Sequence, residues 1–224
     1  AKVIMTSRNE DALLKSVEDV RQAGGEAIAL PADLGDPLQV CAAIQKIKNT
    51  SLDILVLNSG GPKPGRFMDL SDSEWDAGYQ QALRYMLSIC KAFVPGMQER
   101  KWGRIITITS IVAAEPAEAL ALSSVFRAGV LNMVKILSKD LAADNITVNN
   151  ISPGAFKTDR AIQLMEALAK STGETLEEIE ADSVKALPTK RYQTPDECGA
   201  AVAFLASQAA SGITGIDLRV DGGI

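Results

Sequence analysis

The stretch "ILVLNSGGP", Ile54 to Pro62, shows the pattern on which the whole chain is built. Four apolar residues, Ile54–Leu57, are followed at once by Asn58, Ser59 and Gly60. A short run that is apolar throughout, rather than alternating, is typical of a strand covered on both faces in a parallel sheet. The polar and glycine residues after it predict a loop at the carboxyl end of that strand, where open parallel sheets bind their ligands.

Similar runs recur on both sides of this stretch and alternate with segments of helical period. The predicted strands are Val3–Thr6, Ala27–Leu30, Ile54–Leu57, Ile105–Thr109, Thr147–Ile151 and Ile216–Val220. The predicted helices are Asp11–Ala23, Pro37–Lys48, Glu74–Arg100, Ala119–Ala143 and Pro195–Ser207. This alternation predicts an α/β fold, a doubly wound parallel sheet of the Rossmann-like type with right-handed crossovers.

The chain is expected to form a single domain, 1–224, since its length suits one large hydrophobic core. Residues 155–195 are charged and helical in period, and they contain no predicted strand. We interpret them as an inserted helical flap over a substrate rather than as a linker. Its apolar side chains, Ile162, Leu164, Met165 and Leu168, are expected to cover that substrate.

Composition excludes several classes of function. With 28 acidic and 23 basic residues the net charge is −5, which disfavours a surface for nucleic acid or for anionic membranes. No apolar run approaches the roughly 20 residues that span a bilayer, so no membrane segment is predicted. The chain has no histidine, and Cys41, Cys90 and Cys198 lie far apart, so no metal site is predicted. A reduced, cytoplasmic protein is expected.

Polar, glycine and proline residues follow five of the predicted strands, and the carboxyl ends of parallel strands share one edge of the sheet. These residues are the predicted ligand-binding set: Ser7, Arg8, Asp33, Leu34, Asn58, Ser59, Gly60, Ser110, Pro153, Gly154 and Thr158. We therefore expect a binding cleft along that edge.

Individual members of this set have more than one interpretation. Arg8 could hold a phosphate through its planar fork of donors, or it could be a solvated charge at a helix start. Asp33 could accept from an amino group of a ligand, or cap its own loop. Gly60 allows a ligand to approach the backbone closely, or it marks a plain turn. Thr158 could donate to the ligand, or cap the first helix of the flap.

The segment "LSSVFRAGVLNM", Leu122 to Met133, places an arginine on the inner face of a helix. Arg127 lies three residues before Val130 of the apolar stripe, and Ser123 lies four residues before Arg127, so all three share one face of the helix. Arginine is rarely buried without a partner. The two alternatives are a bound cofactor and an acidic side chain such as Glu115 or Glu118.

Four runs together resemble the short-chain dehydrogenase/reductase family, closest to its 3-oxoacyl-acyl carrier protein reductases, over essentially all 224 residues. They are "LVLNSGG", "GRIITITS", "NITVNNISPG" followed by Thr158, and "ITGIDLRVDGG". The resemblance implies a seven-stranded Rossmann sheet and hydride transfer between a nicotinamide and a carbonyl or hydroxyl substrate, a small or acyl-chain ketone. It further implies a role in fatty acid biosynthesis and a homotetramer. An arginine placed like Arg8 implies NADP rather than NAD.

The resemblance also shows a unit that is not in this sequence. Family members begin with one more strand, a glycine-rich turn and a helix, whereas this sequence starts at what would be their second strand. The first strand and the glycine-rich turn are thus absent from the sequence given. Because their loss would leave neighbouring strands with unpaired backbone groups, we expect the complete protein to contain them.

Three of the family's four catalytic positions are changed. The oxygen-binding serine is retained as Ser110, but the tyrosine position holds Ser123, the lysine position Arg127 and the asparagine position Ala82. Ser110 and Ser123 are expected to hold the substrate oxygen and Arg127 the cofactor ribose. An aliphatic hydroxyl is a poor proton donor. The alternative donors are Tyr79, Tyr85, Tyr192, Lys157 or a water held by the two serines. The changes leave open a protein that binds NADP without turnover, as a regulatory or structural subunit of an oligomer.

Overall fold

The computed structural model describes the backbone of all 224 residues. It describes every side chain except those of Asp159, Arg160, Gln163, Leu164, Ala167 and Ser171. The predicted contact of Leu164 with a substrate therefore lies outside the described residues.

Strands and helices alternate along the chain, as predicted. The strands are β1 (Lys2–Met5), β2 (Glu26–Ala29), β3 (Ile54–Leu57), β4 (Gly103–Ile108), β5 (Ile146–Pro153) and β6 (Asp217–Val220). The helices are α1 (Glu10–Gln22), α2 (Pro37–Ile47), α3 (Asp72–Tyr79), α4 (Tyr85–Arg100), α5 (Ala121–Leu141), α6 (Asp159–Thr172), α7 (Leu176–Ala186) and α8 (Pro195–Ala206). The predicted helix Glu74–Arg100 is thus divided into α3 and α4, which are joined by a π-helical turn, Gln80–Arg84.

Local chemistry explains where the helices begin. The side chain of Asn9 accepts a hydrogen bond from the Ala12 N–H at 3.1 Å and caps α1. Asp36 caps α2 in the same way, and Pro37 occupies the first helical position, where its missing N–H costs nothing.

The strands are all parallel, but they form two sheets instead of one. β1 pairs with β2, while β3, β4, β5 and β6 pair in that order. A cavity of about 490 Å³ separates the two sheets and is lined by apolar residues of β1 and β3, such as Val3, Ile4 and Val56. We refer to this cavity as the β1–β3 slot. β1 and β3 lack a paired neighbour on their facing edges, as expected for strands on either side of the one that the family resemblance shows to be absent from the sequence given.

Helices cover both faces of the larger sheet, which gives the doubly wound architecture. Ile105 and Val148 point into a core with α4 and α5, and Ile106 and Ile151 point into a smaller core with α8. By length and composition α5 could cross a membrane, yet its apolar stripe, including Val130, is buried against the sheet. Helix α5 is therefore a core helix that presents one edge of its N-terminal half to the carboxyl ends of the strands.

Candidate active site

The loops after β2 and β3 meet at Gln81, in the π-helical turn. Its side-chain amide donates to the carbonyl oxygens of Gly60 at 3.2 Å and Gly61 at 3.4 Å. A Cβ added to Gly35, in the loop after β2, would lie 3.8 Å from the Gln81 Cβ. A Cβ added to Gly60 would make only ordinary contact, so the chain itself does not require glycine at that position. Sequence reasoning missed Gln81, although it is next to Ala82 in the changed asparagine position.

Arg127 lies at the end of β4 and is 5% exposed. Its Nε donates to the Ser123 Oγ at 3.1 Å, and its Nη1 donates to the carbonyl oxygen of Ile108 at 3.2 Å. Glu115 and Glu118, the two acids considered as its partners, instead pair with Arg219 at 2.5 Å and Arg66 at 2.6 Å. The guanidinium is therefore fixed at the strand edge, one turn of α5 from Ser123.

Ser110 lies two residues after the end of β4 and caps the short 3-10 turn Ile111–Ala113. Its Oγ accepts from the Val112 N–H at 3.4 Å, so its own proton remains available for donation. Ser110 and Ser123 are both half-buried. The structure thus brings Ser110 and the Ser123–Arg127 pair to the same strand end.

Close packing explains why the loop after β5 has glycine at position 154. The Gly154 N–H donates to the Val220 carbonyl at 3.0 Å, and an added Cβ would lie 2.6 Å from the Asp221 Cα. Thr158 caps α6, since its Oγ1 accepts from the Ala161 N–H at 3.3 Å. The roles of Pro153, Gly154 and Thr158 toward a cofactor remain predictions.

Polar side chains in the loops after β1 and β2 form hydrogen bonds with the backbone of their own loops. The Ser7 Oγ accepts a hydrogen bond from the Asn9 N–H at 3.2 Å. The Asp33 Oδ1 likewise accepts a hydrogen bond from the Gly35 N–H at 2.8 Å. Arg8 is exposed at the start of α1, and the Leu34 side chain packs against the main core. Their cofactor roles, with that of the exposed Asn58, also remain predictions.

Tyr85, the first residue of α4, is buried, and its hydroxyl lies beside that of Ser59 in the loop after β3. Neither hydroxyl has a hydrogen-bond partner of acceptable geometry among the described residues. Burial raises the pKa of the Tyr85 phenol, while Ser59 and the Arg127 charge act in the opposite direction.

The other proposed proton donors have different contacts. Tyr79 packs against Phe126 with ring centres 6.0 Å apart. The Tyr192 hydroxyl contacts the sulfur of Met165 at 3.5 Å, and Lys157 pairs with Glu180 at 2.5 Å.

The predicted flap consists of α6, α7 and the segment leading to α8. Met165 and Ile179 are buried within it, and Ile162 is half-buried. Leu168 is 47% exposed, and its contact with a substrate remains a prediction. No cluster of three or more cysteine, aspartate or glutamate side chains able to hold a metal ion occurs among the described residues.

Comparisons with known proteins agree with the Rossmann-like fold. The family model described as "Enoyl-(Acyl carrier protein) reductase" matches residues 1–224. The oxidoreductase UcpA of Escherichia coli K12 is 35% identical over 93% of this chain and 80% of its own. The 3-oxoacyl-[acyl-carrier-protein] reductase FabG of Salmonella typhimurium is 32% identical over 100% of this chain and 87% of its own. This chain also superimposes on the crystal structure of L-sorbose reductase from Gluconobacter frateurii complexed with NADPH and L-sorbose, with a TM-score of 0.93. The two sequences are 27% identical, and the superposition covers 100% of this chain and 86% of the reductase chain.

Proposed function

The chain belongs to the short-chain dehydrogenase/reductase family, and from this premise we propose that it is an NADP-dependent oxidoreductase acting on a carbonyl or hydroxyl substrate. One observation carries the proposal: a buried guanidinium, that of Arg127, is fixed at the carboxyl end of β4 beside Ser110. A fixed cation and a hydroxyl at that edge suit a reaction in which negative charge develops on a substrate oxygen.

The hydrogen-bond donors at the carboxyl edge of the sheet fit the ribose and phosphate groups of a dinucleotide. Arg127 and Ser123 supply donors for ribose hydroxyls, and the exposed guanidinium of Arg8 suits the 2′-phosphate of NADP rather than NAD. Ser7, Asp33, Leu34, Asn58, Ser59, Gly60, Pro153, Gly154 and Thr158 complete the proposed cofactor set. When bound, the cofactor supplies or accepts the hydride.

The chain's own residues hold the substrate oxygen. The Ser110 hydroxyl donates to that oxygen, and the Arg127 charge stabilises it as it becomes negative. Arg127 in turn orients Ser123 through their 3.1 Å hydrogen bond. The half-exposed Leu168 of the flap suits an apolar or acyl-chain ketone, as in the fatty-acid biosynthesis that similarity to FabG favours. A cytoplasmic homotetramer is part of the same proposal.

A second candidate is a subunit that binds NADP without turnover. The observation that favours it is the replacement of the family's tyrosine, lysine and asparagine by Ser123, Arg127 and Ala82.

One experiment separates the two candidates. The full-length chain is mixed with NADPH, binding is followed by cofactor fluorescence, and turnover of a panel of ketones by absorbance. We expect turnover, and Ser110→Ala should lower kcat/KM by about 10²-fold. The matched control Ser211→Ala, on the exposed surface, should leave it unchanged. Binding without turnover of any ketone supports the second candidate. An active enzyme that Ser110→Ala does not slow contradicts the role given to Ser110.

A further inference from the structure

Gln81 contacts loops of two different sheets at the candidate active site, and the proposed chemistry does not use it. The residue lies in the π-helical turn between α3 and α4 and is half-buried. Its side-chain NH2 group donates to the carbonyl oxygens of Gly60 at 3.2 Å and Gly61 at 3.4 Å, in the loop after β3. Because a carbonyl oxygen only accepts, the NH2 group must face the loop, and these bonds fix the orientation of the amide.

The same side chain also lies against the loop after β2. A Cβ added to Gly35 would lie 3.8 Å from the Gln81 Cβ, so the side of this glycine that lacks a side chain faces Gln81. The Gly35 N–H donates to the Asp33 Oδ1 at 2.8 Å. β2 belongs to the smaller sheet and β3 to the larger one, and no strand of one pairs with a strand of the other in the described structure. Gln81 therefore contacts loops from both sides of the β1–β3 slot.

The loop after β3 is one that gains from an external hold. Two consecutive glycines, Gly60 and Gly61, follow Asn58 and Ser59. Glycine loses more conformational freedom on folding than any other residue, so this loop has many conformations open to it. Gly60 is exposed, and the neighbour that an added Cβ would meet there is the Gln81 Nε2, at 3.4 Å. The Gln81 amide is thus placed to hold the loop in one conformation beside a surface that a ligand can reach.

We propose that Gln81 is a positioning residue for the cofactor, which keeps the loop 58–61 in the conformation that receives the dinucleotide. The inference rests on the proposed function, in which Asn58, Ser59 and Gly60 belong to the cofactor set. A loop that is already ordered loses less conformational entropy when the ligand binds, so the hold by Gln81 raises the affinity for NADPH. Because Gln81 acts on this loop and not on the groups that hold the substrate oxygen, it affects the KM for NADPH more than kcat.

The first test compares Gln81→Met with Gln80→Met, a change at the neighbouring position of the same π-helical turn. Methionine has nearly the length and volume of glutamine but no hydrogen-bond donor. We expect Gln81→Met to raise the Kd for NADPH about 5- to 10-fold, the effect of one lost hydrogen bond, while kcat at saturating NADPH changes less than about twofold. Gln80→Met should change neither quantity by more than about twofold, and both variants should unfold close to the wild-type temperature.

The second test observes the loop itself, in the chain without cofactor. Relaxation of 15N-labelled glycine amides should give order parameters near 0.85 for Gly60 and Gly61 in the wild type, and Gln81→Met should lower them toward about 0.6. Gln81→Glu should lower them as well, since its carboxylate only accepts and would face two carbonyl oxygens. Glutamate has the shape of glutamine, so a role in packing alone predicts wild-type order parameters for Gln81→Glu.

The outcomes separate this inference from the proposed function. A wild-type chain that does not bind NADPH overturns the proposed function and the positioning role with it. Where NADPH binds, the Kd decides the positioning role, whether or not a ketone is reduced. An unchanged Kd in Gln81→Met, or an equal rise in Gln80→Met, overturns the positioning role alone. Order parameters of Gly60 and Gly61 that stay at the wild-type values in Gln81→Glu overturn it as well.

Discussion

At the scale of single residues, Gly154 shows how closely two strands meet at the site. A Cβ at this position would lie 2.6 Å from the Asp221 Cα and 2.7 Å from its Cβ, closer than packed atoms approach. We expect Gly154→Ala to destabilise the fold by about 1–3 kcal/mol and to displace the Pro153–Thr158 loop. Thermal unfolding and NADPH affinity measure the two effects.

The matched control for this prediction is Gly199→Ala in α8. A Cβ added there meets nothing within 4 Å, and the position is helical. Alanine in a helix interior is favoured over glycine by about 0.5–1 kcal/mol, so this variant should be slightly more stable than the wild type. If both variants unfold at the same temperature, the close contact at Gly154 is not a determinant of stability.

Sequence reasoning at this scale succeeded where spacing carries the information. The helical period alone placed Ser123 and Arg127 on one face, and their 3.1 Å hydrogen bond confirms it. It failed for Gln81, and it could not distinguish Tyr85 from Tyr79. The directions of these side chains depend on the π-helical turn Gln80–Arg84, and the extra residue of such a turn cannot be detected from the spacing of apolar residues.

At the scale of secondary-structure elements, the outer limits of the predicted strands and helices agree with the structure to within two residues, although the predicted helix Glu74–Arg100 is divided in two. Capping residues and prolines account for much of this agreement, since Asp36-Pro37 and Thr194-Pro195 both mark helix starts. The two-sheet arrangement does not follow from periodicity, which describes each strand and says nothing of its neighbours. It follows from the family resemblance, which indicates an absent strand whose neighbours are left unpaired.

The start of α8 gives a prediction about pH. The Glu197 carboxylate accepts from the Thr194 N–H at 2.7 Å and from both Arg191 Nη atoms, at 2.6 and 2.9 Å. With Arg191 as the largest cause, these donors lower the pKa of Glu197 to about 2. The folded state therefore prefers the ionised form, and this contribution to stability is complete above the ordinary glutamate pKa of about 4.3. It is lost as the pH falls toward about 2.

We accordingly expect Glu197→Gln to have a lower Tm than the wild type near neutral pH. The difference should shrink as the pH falls from about 4 to about 2, where the wild-type carboxyl is itself protonated. Added salt should reduce the difference as well, because the ion pair is exposed. A Tm difference that is constant across this pH range would show that Glu197 acts through its shape and not its charge.

At the scale of the whole molecule, the β1–β3 slot is the main departure from a continuous sheet. β1 and β3 are four residues each, and their facing edges are not paired with another strand in the described structure. Val3, Ile54 and Val56 are 38%, 39% and 46% exposed at or near this slot. Unpaired edges flanked by apolar side chains are suited to accept one further strand, parallel to both.

A strand followed by a glycine-rich turn and a helix would reach this slot if it were joined ahead of Ala1, because Ala1 and Lys2 line the slot. A right-handed crossover from such a strand leads directly into β1. A chain that carries this unit should bind less of a hydrophobic dye than residues 1–224 alone, because apolar surface is buried. It should also unfold at a Tm several degrees higher and bind NADPH more tightly, since the buried apolar surface and the new backbone pairing both favour the folded state. The matched control carries proline at the centre of the added strand, where it removes a backbone donor and should abolish the gain. An added unit that leaves dye binding and Tm unchanged, with or without the proline, would show that the slot does not take a strand.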